Sequence, residues 1–283
     1  MSAFPSASTG AETISSNQVS AKGIDPSRYR NTVARLTSEP MGGRAVGTPG
    51  GAEAIRFIEA MYREAGLLPP RKEGGYVQRY RHSDHGEAEA ANIIGVLPGN
   101  DPVVGHEVVV ISAHHDHLGW NSGSGCPEAR RGGCMMAGAN DNASGTAALV
   151  ELAFALAARR ADLRRTVLFL SIDGEECGCT GSKHYVFNEP LFPLKDTIYN
   201  LNIDQIGEGA SLVDHTVDTS TSDDHDCEVD GEVFARRGIK AQTLVGDNSN
   251  YHQCTDVMAN INFQKALQAV HRAYGLVWKA AQD

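Results

Sequence analysis

The sequence predicts an α/β fold, a three-layer α/β/α sandwich around a central mixed, mostly parallel sheet. From residue 108 onwards, apolar segments of strand length alternate with segments of helical pattern, as in right-handed strand–helix–strand units. The strand segments are almost continuously apolar, which is typical of strands buried on both faces. Three of them run directly into ionisable residues, and parallel strands bring such residues together at the carboxyl edge of a sheet.

Residues 1–22 are rich in Ser, Ala and Thr and contain no apolar stretch of the kind found in a signal peptide. We expect a disordered tail there. The alternative is that a natural leader was removed and that Met1 was added to the remaining chain. Residues 23–283 show no internal repeat, and we expect them to form a single domain.

Two helices and a pair of strands are expected before residue 108. A helix should begin at Pro26, because Pro suits a first helical turn and Asp25 is a suitable N-cap. Its apolar positions are Tyr29, Val33 and Leu36. The other elements are a helix over 52–65, with Ile55, Ile58, Met61 and Tyr62 on one face, and two strands over 76–80 and 91–97. We expect these two strands to pair antiparallel.

The alternating part of the chain begins at residue 108. The predicted strands are 108–113, 166–172, 198–203 and 241–245. The predicted helices are 143–159, 179–188, 230–237 and 263–281. The loops 119–137 and 208–230 show no readable pattern, and we expect them to form the substrate pocket.

The charge distribution argues against a nucleic-acid or membrane partner. The formal net charge is -10 and no run of Lys or Arg occurs, whereas nucleic acids and anionic membranes are bound by basic surfaces. No apolar segment approaches the length of a membrane span. A carboxylate cluster neutralised by metal ions would account for part of the acidic surplus.

The six cysteines allow full pairing, and we expect disulfides and therefore an oxidising compartment. Six reduced thiols are the alternative. A disulfide between Cys126 and Cys134 would suit the Gly/Ser/Arg loop between them, whereas Cys177 and Cys179 are too close to bridge without strain. No CxxC pair occurs, which argues against zinc bound by cysteine.

Clusters of acidic residues and histidine are the main functional signal. Three of them follow predicted strands, one precedes a predicted helix and one lies near the C-terminus. They are His114–Asp116, Asp141, Glu175–Glu176, Asp204 and Tyr251–His252. Two imidazoles and several carboxylates are the groups that hold a pair of divalent cations, so the set indicates a metallohydrolase. Zinc, cobalt and manganese would all suit these ligands.

The first two clusters also have structural interpretations. Asp116 follows His114 by two residues, so it lies on the same side of an extended chain and can orient the imidazole. Asp141 could bridge two cations, but Asp141 or Asn142 could instead cap the next helix. Asn142 also begins a glycosylation sequon, and its position at a buried helix start argues against modification.

The later clusters supply the remaining groups. Glu175 and Glu176 are adjacent and can point in different directions, so one can bind metal while the other acts as a base towards metal-bound water. Asp204 ends a buried strand, where an unpaired carboxylate would be costly. His252 supplies the second imidazole, and the Tyr251 hydroxyl beside it could stabilise an oxyanion.

Four segments resemble the motifs of the M28 family of zinc aminopeptidases, which contains the secreted bacterial leucine aminopeptidases. They are Gly-Arg-Ala-Val-Gly-Thr around Arg44, Ala-His-His-Asp-His-Leu-Gly, Gly-Ala-Asn-Asp-Asn-Ala-Ser-Gly and Gly-Glu-Glu, and the resemblance covers roughly residues 30 to 275. It implies a mixed sheet between helices, a cis peptide at Asp141, and no room for a protease-associated insert. The metal ligands that it implies are His114, Asp141 (bridging), Glu176, Asp204 and His252. The catalytic residues are then Glu175 as general base and acid, with Asp116 orienting a ligand.

The function predicted on this basis is an aminopeptidase with two Zn²⁺ per chain. Glu175 would activate a water that bridges the metals, and the substrates would be peptides with a free N-terminus. The expected location is periplasmic or secreted, with a cytoplasmic one as the alternative. The alternative functions are a single-zinc acyltransferase related to glutaminyl cyclases, a carboxypeptidase or deacylase of the same fold, and a non-catalytic binding module.

Two departures from the family pattern bear on specificity. Gln253 and Cys254 follow the last ligand where the family commonly has His-Thr-Pro, and the family's Ser-Asp-His segment is one residue out of step at residues 222–225. Both lie where the family is expected to select substrate side chains.

Overall fold

A seven-stranded sheet forms the centre of the computed structural model, which describes residues 23–71, 73, 75–82, 88–120, 134–215, 227–247 and 249–283. The predicted tail, residues 1–22, lies outside the described residues. The strands are β1 (Val77–His82), β2 (Ala88–Leu97), β3 (Val108–His114), β4 (Gly119–Trp120), β5 (Met135–Met136), β6 (Thr166–Ile172), β7 (Thr197–Asp204), β8 (Ser211–His215) and β9 (Lys240–Val245). The order in the large sheet is β1-β2-β6-β3-β7-β9-β8, and β4 pairs with β5 separately.

The sheet is mixed, with parallel pairing at its centre. Strands β6, β3, β7 and β9 run parallel to one another. The antiparallel pairings lie at the edges, where β1 pairs with β2, β2 with β6, and β8 with β9. This arrangement confirms the predicted fold class and the predicted antiparallel pair before residue 108.

The main helices are α1 (Pro26–Leu36), α2 (Pro49–Ala65), α3 (Gly145–Ala157), α4 (Thr180–Lys183), α5 (Asp230–Ala235) and α6 (Phe263–Gln282). Helix α1 begins as predicted, with the Asp25 side chain accepting from the Ser27 amide. Helix α2 begins three residues before the predicted start, because Thr48 caps it through the Gly51 amide and Pro49 occupies its first turn. Helix α3 is shorter than predicted, since residues 139–144 form a wider turn before it.

Two apolar layers cover the two faces of the sheet. Alternate residues of β3 point to opposite faces, so that Val109 and Ile111 join one cluster and Val108 and Val110 the other. The larger cluster contains residues of α1, α2, α3 and α6. The smaller one contains residues of α5 and of the helical turn after α4, among them Tyr185 and Phe234. The three-layer arrangement is therefore as predicted.

Strands β4, β5 and β8 were not predicted. Strand β8 is an edge strand whose residues are mostly exposed or half-buried, so it lacks the apolar pattern that identifies a strand. Strands β4 and β5 have two residues each, which is too short for any period to show. Within the described part of the chain, no helix combines the length and apolar composition that a membrane span requires.

Disulfides join segments that are distant in the sequence. Cys134 is bonded to Cys254 and Cys179 to Cys227, with 6.1 Å between the Cα atoms in each pair. The expected bond between Cys126 and Cys134 is therefore wrong, because folding places Cys134 beside a segment 120 residues away. Cys177 is also disulfide-bonded, and no described cysteine is a free thiol.

Candidate metal centre

Three neighbouring strands deliver ionisable residues to one edge of the sheet. Strand β3 lies between β6 and β7, and all three run parallel. His114 is the last residue of β3, Asp204 is the last residue of β7, and Glu175 and Glu176 follow the end of β6. Parallel strands end at the same edge, which explains why residues up to 90 positions apart meet here.

One group of possible ligands consists of His114, Asp141 and Asp204. Nε2 of His114 lies 3.3 Å from Oδ1 of Asp141 and 3.3 Å from Oδ1 of Asp204. The three side chains are buried, with at most 5% of any of them exposed. One imidazole and two carboxylates at these separations form a set that can hold a divalent cation.

A second group shares Asp141 with the first. Nε2 of His252 lies 3.4 Å from Oδ2 of Asp141 and 2.9 Å from Oε2 of Glu176. The two carboxylate oxygens of Asp141 thus face different imidazoles, Oδ1 towards His114 and Oδ2 towards His252. This is the arrangement expected of a carboxylate that bridges two cations.

The electrostatics of the cluster favour bound cations. Burial raises the pKa of Asp204, although His114 beside it acts in the opposite direction. Burial lowers the pKa of His252, but hydrogen bonds to Asp141 and Glu176 outweigh this effect and raise its pKa to about 10. Buried carboxylates are costly unless positive charge lies beside them. The set of two imidazoles and three carboxylates fits zinc, which would supply that charge.

The turn that carries Asp141 is held by hydrogen bonds on both sides. The Asp256 carboxylate accepts from the backbone amides of Asn140 and Asp141, at 2.8 and 3.0 Å. The Asn142 side chain accepts from the amide of Gly145, the first residue of α3, at 2.9 Å, so Asn142 rather than Asp141 holds the start of this helix. The Asp141–Asn142 peptide is cis, as the family resemblance implied. The Asp141 side chain is therefore left to face the imidazoles.

Asp116 contacts both ligand-bearing segments. Its carboxylate accepts from the backbone amides of Glu175 and Glu176, at 3.2 and 3.3 Å. Its Oδ1 atom lies 3.6 Å from Nδ1 of His114, which is longer than a hydrogen bond. Nδ1 lies closer, at 3.3 Å, to the Asp116 carbonyl. Asp116 thus holds the glutamate segment directly and lies beside the His114 ring.

The adjacent glutamates contact different imidazoles. The Glu176 side chain is 2% exposed and turns towards His252, whereas that of Glu175 is 12% exposed. Oε2 of Glu175 lies 4.0 Å from Nε2 of His114. Burial raises the pKa of Glu175 well above its usual value; His114 counteracts this effect and Glu176 adds to it. Glu175 is therefore the carboxyl group that stands beside the cluster and also reaches solvent.

Tyr251 stacks on His252, with 3.7 Å between the ring centroids, and about half of its surface is exposed. Cys254, two residues after His252, is bonded to Cys134, so the departure from the family pattern at this position contributes a disulfide. The second departure, at residues 222–225, lies outside the described residues.

Arg44 is a fully buried cation behind the cluster. Its guanidinium donates to the backbone carbonyls of Leu36, His115, Ala137 and Gly138, at 2.7–2.9 Å. Burial lowers its pKa to about 10, and nearby carboxylates, with Asp256 foremost, oppose this effect. Arg44 therefore ties the segment before Asp141 to the segment after β3.

Replacing Arg44 with Lys should destabilise the protein by roughly 3 kcal/mol or more, because an ammonium group cannot reach four carbonyls and buried acceptors would lose their donors. Urea denaturation of the zinc-free protein measures the change. Arg56→Lys is the control and should stay within about 0.5 kcal/mol, because Arg56 is exposed and its ion pair with Glu53 lies at the surface. Equal effects of the two substitutions would contradict this role of Arg44.

Two contributing residues were not predicted, namely His117 and Asp256, whereas the contact of Asn142 with the start of helix α3 was one of the two structural alternatives given for this segment. His117 stands in the same His-His-Asp-His run as His114, and this run was a signal that could have identified it. Asp256 follows His252 by four residues, but nothing in the sequence indicates that it reaches the turn around Asp141.

Residues 92–229 match the model of peptidase family M28. The chain is 30% identical over 116 residues to aminopeptidase YwaD of Bacillus subtilis, an alignment that covers 41% of this chain and 22% of that protein. The aligned part thus spans about a fifth of the length of that relative.

Two solved structures show the same fold. An aminopeptidase from Aneurinibacillus sp. strain AM-1 has a TM-score of 0.68 at 16% identity, with 93% of this chain and 95% of that chain covered. Porphyromonas gingivalis glutaminyl cyclase has a TM-score of 0.71 at 17% identity, with 91% and 99% covered. The fold is therefore common to both enzymes, and the function has to be argued from the site.

Proposed function

We propose that this chain, which belongs to peptidase family M28, is a two-zinc aminopeptidase that removes N-terminal residues from peptides. The observation that carries the proposal is the position of Asp141, whose two carboxylate oxygens face two different imidazoles. A carboxylate in this position favours two metal ions over one. In this proposal, residues 23–283 form the catalytic domain.

The proposed ligands divide into two sets that share Asp141. His114, Asp141 and Asp204 would hold one zinc ion, and His252, Asp141 and Glu176 would hold the other. When bound, the ions would supply Lewis-acid polarisation and lower the pKa of water. Asp116 would hold the Glu175–Glu176 segment beside the His114 ring, because its carboxylate accepts hydrogen bonds from the two backbone amides.

Glu175 would be the general base and acid. Its carboxylate would take a proton from the attacking water and deliver it to the leaving amine, and its position beside His114 with part of its side chain exposed gives it access to both. The carboxylates around the site would receive the free ammonium group of a substrate N-terminus. Tyr251 would contribute its hydroxyl at the entrance, and its stacking on His252 supports a place beside the substrate carbonyl.

The disulfides support an extracellular or periplasmic location for the enzyme, because such bonds persist in oxidising compartments. The proposed partners are peptide substrates with a free N-terminus.

Elemental analysis combined with a substrate panel tests the proposal. We expect two zinc ions per chain and cleavage of aminoacyl anilides with a free amine, but no cleavage of the same anilides after N-acylation. A single zinc with cyclisation of N-terminal glutamine would point to the glutaminyl cyclases instead. Preference for N-blocked substrates would indicate a deacylase, release of C-terminal residues would indicate a carboxypeptidase, and zinc without turnover would indicate a binding module.

A further inference from the structure

A third buried imidazole, that of His117, lies against the candidate metal centre. Its Nδ1 atom lies 2.5 Å from Oε1 of Glu176, and none of its side chain is exposed. Its buried Nε2 atom has no hydrogen-bond partner among the described residues. The ring meets that of His252 edge-on, with 5.8 Å between the centroids. The function proposed above gives His117 no part.

The two carboxylate oxygens of Glu176 have different neighbours. Oε2 lies 2.9 Å from Nε2 of His252, and that same nitrogen lies 3.4 Å from Oδ2 of Asp141. Two atoms that bind one tetrahedral zinc ion at about 2.0–2.1 Å lie about 3.3 Å apart, and the two His252 distances bracket this value. The distance of 2.5 Å between Nδ1 of His117 and Oε1 is shorter than both this value and the usual hydrogen-bond range, so the two atoms are in direct contact. Nδ1 of His117 is also farther from Asp141, at 4.0 Å.

The surroundings of His117 keep its ring in place. Gly138 has a φ of +57°, and a Cβ atom there would come within 2.6 Å of Cγ and Cδ2 of the imidazole. The ring is therefore packed directly on the Gly138 backbone. The His117 amide also donates to the Arg44 carbonyl at 3.4 Å. A side chain held in this way can fix the orientation of the group that it contacts.

We propose that His117 is a positioning residue that donates its Nδ1–H to Oε1 of Glu176 and so sets the zinc affinity of the position formed by His252, Asp141 and Glu176. The inference rests on the proposed function, because it requires zinc at that position. The hydrogen bond would fix the rotation of the carboxylate and keep Oε2 directed at the ion. Loss of such an outer hydrogen bond typically lowers metal affinity by about 10–100-fold.

The test compares zinc binding by the full chain and by variants at this position. His117→Leu removes the donor at similar volume, and we expect one of the two zinc ions to bind about 10–100-fold more weakly. His117→Asn places an amide nitrogen near the position of Nδ1 and should largely restore the affinity. Competition with a chromophoric chelator measures the affinity, and elemental analysis measures the stoichiometry. If His117→Leu does not fold, His117→Gln replaces it. The glutamine amide group reaches the position of Nε2 rather than that of Nδ1, so this variant also lacks the donor to Glu176.

His115→Leu is the matched control. His115 is also fully buried, but its ring contacts Ser171 and none of the proposed ligands, so both ions should bind as in the unaltered chain. Unchanged affinity in His117→Leu, or an equal loss in His115→Leu, would overturn the inference. An equal loss in His117→Asn and His117→Leu would also overturn it, because it would make His117 a ligand. A failure of the proposed function itself would be seen in a different measurement, because the unaltered chain would then bind fewer than two zinc ions.

Discussion

Replacing Glu175 with Gln should lower kcat for an aminoacyl anilide by about 10²–10⁴-fold, the usual contribution of a general acid or base. The substitution exchanges one carboxylate oxygen for an amide nitrogen and keeps the side-chain volume. The zinc content should stay at the level of the unaltered chain, because the proposed ligands are untouched. Steady-state kinetics and elemental analysis of the same preparation measure both quantities.

The reason lies in the different positions of two neighbouring carboxyl groups. Glu176 is turned inwards to His252, with 2.9 Å between Oε2 and Nε2. Glu175 stands 4.0 Å from His114 and is more exposed, so it can meet both water and substrate. Burial raises the pKa of Glu175 well above the usual value for glutamate, and this effect opposes the lowering of the pKa that two bound cations would cause.

Glu176→Gln is the matched control, since it makes the same chemical change one residue later. Here we expect loss of zinc from the position shared with His252 and Asp141, because a negatively charged ligand becomes neutral. Near-normal kcat in Glu175→Gln would refute its role as the base. Loss of zinc in Glu175→Gln, with full retention in Glu176→Gln, would reverse the roles of the two residues.

The parts of the fold that the sequence predicts well are those with a strong local pattern. Strand β6 has the predicted bounds, because seven consecutive residues are buried and its apolar run is nearly continuous. Helix α6 begins at the predicted residue and ends one residue beyond the predicted end. Its apolar face repeats at helical spacing, which made it predictable. Strand β8 was not predicted, because it lies at the edge of the sheet and is only partly buried. Its stability comes from pairing with β9, which is a tertiary contact.

The same distinction between local patterns and tertiary contacts applies to the candidate site. Residues at strand ends, such as His114 and Asp204, could be predicted because parallel strands end at one edge of the sheet. Contacts between distant loops could not. The bond between Cys134 and Cys254 spans 120 residues, and cysteine spacing alone allows many connectivities. The hydrogen bonds of Asp256 to the turn around Asp141 depend equally on how two loops meet.

The direction of His117 illustrates a further limit of local patterns. It follows Asp116 at once, after the strand has ended, where the backbone is irregular and the alternation of side chains no longer applies. Its contact with Glu176 depends on the segment after β6, 59 residues away. The sequence run containing His117 could therefore be singled out, but its partner could not.

Replacing Asp141 with Asn should weaken zinc binding at both positions, whereas Asp204→Asn should weaken it at only one. Asp141 directs one oxygen to each imidazole, at 3.3 and 3.4 Å, and Asp204 contacts His114 alone among the imidazoles of the centre. Removing a charged ligand should cost more than the ~10–100-fold in affinity that loss of an outer hydrogen-bond partner costs. Zinc titration against a competing chelator would therefore show two weakened ions in Asp141→Asn and one in Asp204→Asn.

This pair of variants also distinguishes a centre with two zinc ions from a centre with one. Both substitutions convert a carboxylate into an amide in a buried position, so they match in volume and in the charge removed. If Asp141 bridges, its loss must affect the position with His252 as well as the position with His114, because the two share that single carboxylate. An Asp141→Asn protein that keeps one ion at the original affinity would show that the carboxylate serves only one position. The centre would then bind a single zinc ion, as expected of the alternative acyltransferase. The two-zinc aminopeptidase mechanism in which Glu175 is the base would be excluded.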